Sequence, residues 1–175
     1  MLKSLAQSDQ DKDVRRVAVI QLAQGWKEEP ETFSFLKSLA HSDYDSDVRG
    51  VAVIQLAQGW KEEPETLPLL KSLAHSDYDS DVRGVAVKLL AQGWKEEPEM
   101  FEVWCDRAVN DPFEYKDDSD LLRFLQTNPR QTALEFLIKQ YRDHPQTLEV
   151  LRDRAENAPD EELREFANKQ LQALG

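Results

Sequence analysis

Two aspartate triplets, Asp43, Asp45, Asp47 and Asp77, Asp79, Asp81, present alternating carboxylates of the kind that open a calcium-binding loop. Such a loop also needs glycine at its sixth position and glutamate at its twelfth. Counted from Asp43, those positions hold Val48 and Ile54, so the chemistry expected of the triplets is helix capping. His41, His75 and His144 are scattered singletons, the first two being one repeat position met twice. Cys105 is the only cysteine; it has no disulfide partner and no companion at metal-ligand spacing, and it reads as a free thiol. No nucleophile and base pair stands out, and the KEEPE tracts read as solvated turns. No catalytic residue, metal site or cofactor is expected, and the chain is not read as an enzyme.

The elements that must position these residues recur with a fixed period. The string KSLAHSDYDSDVRGVAV occurs twice, at 37–53 and 71–87. Trp26, Trp60 and Trp94 lie thirty-four residues apart, and Arg15, Arg49 and Arg83 keep the same step. The pattern returns in weaker form at 128–147, with Arg130 at the arginine position and Tyr141 at the tryptophan position. Arg164, Ala167 and Leu171 open a fifth copy. The fourth copy carries a thirteen-residue insertion. The repeats fall at about 1–29, 30–63, 64–97, 98–144 with the insertion near 111–128, and 145–175, together read as one domain.

Within a copy, PETLPLLKSLAHS reads as a first helix whose prolines stay in the opening turn. DYDSD comes next, with Asp79 or Ser80 as N-cap, and VRGVAVKLLAQGW reads as a second helix ending near Gly93, a residue suited to a left-handed C-terminal position. At 100° per residue, Val48, Ala52, Val53, Leu56 and Trp60 share one arc, which predicts the packing face. One hairpin cannot cover that arc, whereas stacked copies cover one another, so the chain is expected to be all-α and built as a solenoid of about five repeats.

With 34 acidic and 22 basic residues the formal charge is -12, which opposes the electrostatic attraction behind most nucleic-acid binding. No apolar run reaches the roughly eighteen residues of a membrane span. MLKSLAQSDQ lacks the apolar stretch of a signal peptide, and a cytoplasmic location is the expectation.

The recurring D-x-D-V-R-x-V-A-V-x-x-L-A-x-G pattern, at Asp11, Asp45 and Asp79, resembles the HEAT-like repeat of the variety first described in phycobilisome lyases. The strings LAQGWKEEPET and NDPF…NPRQTALE resemble the repeat arrays attached to bacterial, mostly cyanobacterial, NACHT-type ATPases. That resemblance implies a right-handed solenoid of HEAT-like, armadillo-type hairpins that recognises a protein partner. The chain has no G-x-x-x-x-G-K-[ST] phosphate loop, so ATP hydrolysis is not carried over. The alternative implied is an accessory subunit of a bilin lyase. A tetratricopeptide reading fits the Val-Arg-x-x-Ala pattern less well.

On the helical wheel Arg49 falls inside the packing arc, where a cation needs acceptors. Arg15, Arg49 and Arg83, with Arg130 and Arg164 in the weaker copies, are expected to bond loop aspartates or carbonyls within and between repeats, with Asp11, Asp45 and Asp79 in the ladder. Trp26, Trp60, Trp94 and Tyr141 are expected to wedge successive hairpins. Trp104, off that period, reads as core of the third-to-fourth contact. The candidate interaction surface is the stripe Arg16, Ile20, Gln24, then Gly50, Ile54, Gln58, then Gly84, Lys88, Gln92. Its middle position changes freely among copies otherwise nearly identical (Ile20, Ile54, Lys88, Glu135, Lys169). Mid-helix Gly50 and Gly84 suggest a close approach by a ligand or a neighbouring helix. Within the insertion, Leu121, Leu122, Phe124 and Leu125 form an apolar turn that Ser119 could cap, with Asp117 to Asp120 its most mobile part. Met1 aligns with Phe35, partway through a first helix, so the expectation is the C-terminal piece of a longer repeat array, or an open reading frame derived from one.

Overall fold

The computed structural model describes residues 1–115 and 126–174; the expectations for Leu121, Leu122, Phe124, Leu125, Ser119 and Asp117 to Asp120 lie outside them. Among the described residues there are ten α-helices and no strand: α1 (Leu2–Ser8), α2 (Lys12–Gly25), α3 (Pro30–Ser42), α4 (Ser46–Gly59), α5 (Thr66–Ser76), α6 (Ser80–Gly93), α7 (Met100–Asn110), α8 (Pro129–Gln140), α9 (Pro145–Asn157) and α10 (Glu161–Leu174). None of these is long and apolar enough to cross a membrane. The fold is the all-α solenoid of helical hairpins, divided into two compact units, Met1–Lys95 and Glu96–Gly175.

The second helix of each early repeat starts on an aspartate. The carboxylates of Asp11, Asp45 and Asp79 accept from the N–H of Asp13, Asp47 and Asp81 at 2.8, 2.9 and 2.9 Å, satisfying donors that the first turn leaves orphaned. Asn128 does the same for α8, accepting from Arg130 N–H at 3.0 Å. The far ends differ from expectation. Gly25, Gly59 and Gly93 are the last helical residues, and no glycine has positive φ. The cap residue is the following tryptophan, at φ of -130°, -129° and -129° for Trp26, Trp60 and Trp94. Its N–H still bonds four residues back, to Leu22, Leu56 and Leu90 at 3.0, 2.9 and 2.8 Å, so no left-handed residue is needed to close the helix. In the third copy the first helix begins at Thr66 rather than Pro64, which places Pro68 in the opening turn, where its missing N–H is harmless.

In the first unit α1 pairs with α2, α3 with α4 and α5 with α6, and the second helices lie side by side in the order α2, α4, α6. Val48, Ala52, Val53 and Leu56 are fully buried, as are Leu36 and Leu70 of the first helices. In the second unit α7 pairs with α8 and α9 with α10, and the hairpins meet chiefly through their first helices, α7 against α9. Trp104 is fully buried there, its ring 5.7 Å from that of Phe136 in the same hairpin. It occupies the repeat position of Leu36 and Leu70.

Leu56 sits at the centre of the stacked layer with no exposed surface. Leu56→Ala is expected to destabilise the protein by about 2 to 5 kcal/mol, measured by urea denaturation, because neither flanking helix can collapse onto the space left.

Candidate interaction surface and the arginine rungs

Two buried arginines of the first unit are densely bonded. Arg15 donates from Nε and Nη2 to the two carboxylate oxygens of Asp43, at 3.1 and 3.2 Å. Arg49 does the same to Asp77, at 3.0 and 2.9 Å. In each case the acid belongs to the next hairpin, twenty-eight residues on. The remaining Nη1 donates back to a carbonyl six residues earlier, Asp9 at 2.8 Å for Arg15 and Asp43 at 2.8 Å for Arg49, and also to the hydroxyl of Tyr44 or Tyr78. Each guanidinium lies over the ring of that tyrosine, 4.1 and 4.0 Å from the centroid. The tyrosine hydroxyls donate in turn to Gln10 and Tyr44 carbonyls. Burial pulls each guanidinium toward neutrality, but the hydrogen bonds and charge of Asp43 or Asp77 outweigh it, and both arginines stay charged with pKa raised.

The carboxylates that receive these arginines are therefore Asp43 and Asp77, two residues before the aspartates placed in the ladder from sequence. Asp45 and Asp79 are N-caps, and Asp45 lies 3.8 Å from Lys12 Nζ. Tyr44 and Tyr78 were also missed, and the sequence held a signal for them: each stands directly after its aspartate at the repeat period. Arg83 repeats the backward bond, to the Asp77 carbonyl at 2.9 Å. Arg130 departs from the pattern. Its Nε donates to the Asp111 carbonyl at 2.6 Å and its Nη1 to Asp160 at 3.4 Å, and burial lowers its pKa despite Asp160. Arg164 donates to the Ala158 carbonyl at 2.6 Å. The second unit adds two buried cations that sequence reasoning passed over, Arg107 and Arg154, at the repeat position that Leu39 and Leu73 occupy in the first unit. Arg154 reaches from α9 to the Val109 carbonyl of α7 at 3.3 Å, and each of the two also pairs with the aspartate before it.

Trp26, Trp60 and Trp94 become progressively more covered, from 42% exposed at Trp26 to 9% at Trp94. Trp60 meets Phe33 of its own hairpin at 6.2 Å and Tyr141 meets Phe101 of its own at 5.0 Å, so these ring contacts lie within hairpins rather than between them. Cys105 is half-buried; burial, with the Glu102 charge, pushes its thiol up to about 11, which makes it a poor nucleophile at neutral pH.

The stripe runs along the layer of second helices. Gly50 and Gly84 are buried, Arg16, Ile20 and Ile54 are half-buried, and Lys88 and the glutamines Gln24, Gln58 and Gln92 are exposed. A Cβ added at Gly50 would meet nothing within 4 Å, so this glycine accommodates no neighbouring helix; it leaves a small open space. At the other end of the stripe Gln58 and Gln92 line a cavity of about 350 Å³ with Lys61, Leu89 and Trp94. Lys61 Nζ stands 5.8 Å from the centre of the Trp94 ring. The carboxamides offer both donors and acceptors, which suits the backbone amides of a peptide partner.

Two outcomes test this geometry. Arg49→Met and Asp77→Asn, each leaving its partner buried and unpaired, are expected to cost about 3 kcal/mol or more apiece, with strong non-additivity in the double variant measured by denaturant unfolding. Gly50→Ala, which fills open space on a helix, is expected to stabilise by about 0.5 to 1 kcal/mol, roughly 1 to 4 °C in thermal unfolding.

Comparison with known proteins gives one family, described as HEAT repeats, which matches residues 1–91. Comparison with curated proteins and with solved structures finds no match. The match covers the hairpins in which α2, α4 and α6 stack, and on that ground the chain belongs to the HEAT-repeat family.

Proposed function

We propose that the chain is a non-enzymatic protein-binding scaffold whose binding face is the stripe along α2, α4 and α6. The observation that carries this reading is the variation at one position of three helices packed side by side. Ile20 and Ile54 give way to Lys88, and to Glu135 and Lys169 in the later copies, while the buried positions around them in the first three copies stay Val, Ala, Leu and Arg. Packing holds the second group constant, whereas the first is half-buried at Ile20 and Ile54 and exposed at Lys88. Family membership supports the general role, since HEAT repeats commonly mediate protein–protein interaction. The GWKEEPE and NPRQTAL strings support a narrower context, recognition on behalf of a NACHT-type ATPase.

The test uses partner capture from cells that express the chain, followed by affinity measurement. Lys88→Glu is expected to weaken the captured protein about tenfold, equivalent to about 1.4 kcal/mol, with the melting temperature unchanged. Equal binding by wild type and variant moves the site off the stripe, and failure to retain any protein partner overturns the scaffold reading.

A further inference from the structure

The first hairpin has a face, turned away from α4, that differs from every equivalent face in its unit. Val14 and Val17 are 36% and 58% exposed. Leu2 and Leu5 are half-buried and line with them a cleft of about 340 Å³. A neighbouring cleft of about 440 Å³ is bounded by Leu2, Leu22 and Trp26. Where a hairpin does lie on that side, the counterparts of Leu2, Leu5 and Val14 are closed, Leu36, Leu39 and Val48 in one copy and Leu70, Leu73 and Val82 in the next all being at 4% exposure or less. The counterparts of Val17, which are Val51 and Val85, are half-buried.

The polar groups of this face repeat the internal interface with one half missing. Asp43 and Asp77 each accept the N–H two residues on and take an arginine from the preceding hairpin. Asp9 stands at the same repeat position and accepts the Asp11 N–H at 3.0 Å, but no cation among the described residues reaches its carboxylate. Asp11 and Asp13 occupy the positions at which Asp45 and Asp47 receive Lys12, at 3.8 and 2.7 Å, and Asp13 takes Arg16 of its own helix, at 2.9 Å. Gln10 replaces the tyrosine.

We propose that this end face is a docking site for one further helical hairpin of the same repeat type, whose second helix brings an arginine to Asp9 and an apolar ridge onto Leu2, Leu5, Val14 and Val17. The interface it would form continues the one already made between α2 and α4, with the same charge pairing. A second copy of this chain does not supply the matching surface. On α10, Arg164 makes the backward bond of a ladder arginine, but Glu161 stands at the position of Lys12 and would confront Asp11 and Asp13. Asn168 and Gln172 replace the apolar Val19 and Ala23.

Fusing residues 30–68 directly before Met1 keeps the thirty-four-residue register and places a copy of Arg49 twenty-eight residues before Asp9. In a Cys105→Ser background, Val14→Cys reports cover through its rate of maleimide labelling, which is expected to fall about tenfold or more in the extended chain. Asp9→Asn, made without the reporter, is expected to lower the melting temperature of the extended chain clearly more than that of the original chain. Unchanged labelling, or an equal effect of Asp9→Asn in both chains, overturns the proposal. So does concentration-dependent self-association of the original chain in sedimentation that Asp9→Asn abolishes, because a second copy would then be the occupant.

Discussion

A guanidinium with no exposed surface is the constraint around which the first unit is arranged. Taking Arg15 or Arg49 out of water costs several kcal/mol unless nearly every donor finds an acceptor. The structure meets that demand from three directions at once: a carboxylate in the next hairpin, a carbonyl in the turn of its own hairpin and a tyrosine hydroxyl, with the tyrosine ring beneath the cation. A contact with so many simultaneous partners tolerates little displacement. It therefore fixes where one hairpin lies on the next, which nonpolar packing of valine, alanine and leucine would leave looser. Asp43 and Asp77 also accept the N–H of Asp45 and Asp79, so the carboxylate that binds the arginine is itself held by the turn.

In the second unit the partners of the repeat arginine differ, and so does the stacking. Ala158 stands where Asp43 and Asp77 stand in the first unit; Arg130 keeps a backward bond, to the Asp111 carbonyl, and in place of the missing carboxylate makes a longer contact to Asp160. The bridging cation then shifts to the first helices, where Arg154 of α9 reaches the α7 backbone. The main contact between hairpins shifts with it, from second helix on second helix to α7 on α9. Two local sequence changes, loss of an aspartate and gain of an arginine in place of leucine, thus accompany a different mode of stacking.

Periodicity made the architecture legible, because identical strings at a constant step leave little choice of fold and the apolar arc from Val48 to Leu56 is unambiguous on a wheel. The need of Arg49 for acceptors was legible for the same reason. Which acid would serve was not: Asp43, Asp45 and Asp47 are chemically equivalent in a string, and only the turn geometry separates the one that faces the previous hairpin from the one that caps the helix. The helix ends misled for a related reason. Glycine before tryptophan suggests a left-handed closure, but the tryptophan N–H already completes the bonding pattern, so the glycine keeps an ordinary φ. Arg107 and Arg154 went unread because they fall in the diverged copies, where the period no longer marks a position as equivalent to Leu39 and Leu73.

Each bridge is divided between neighbours, the cation written in one copy and its acid and aromatic partner in the next. Removing or doubling a whole copy at the DNA level rejoins the same two halves. Recombination between the near-identical stretches would therefore shorten or lengthen the array by whole hairpins without creating a new kind of junction.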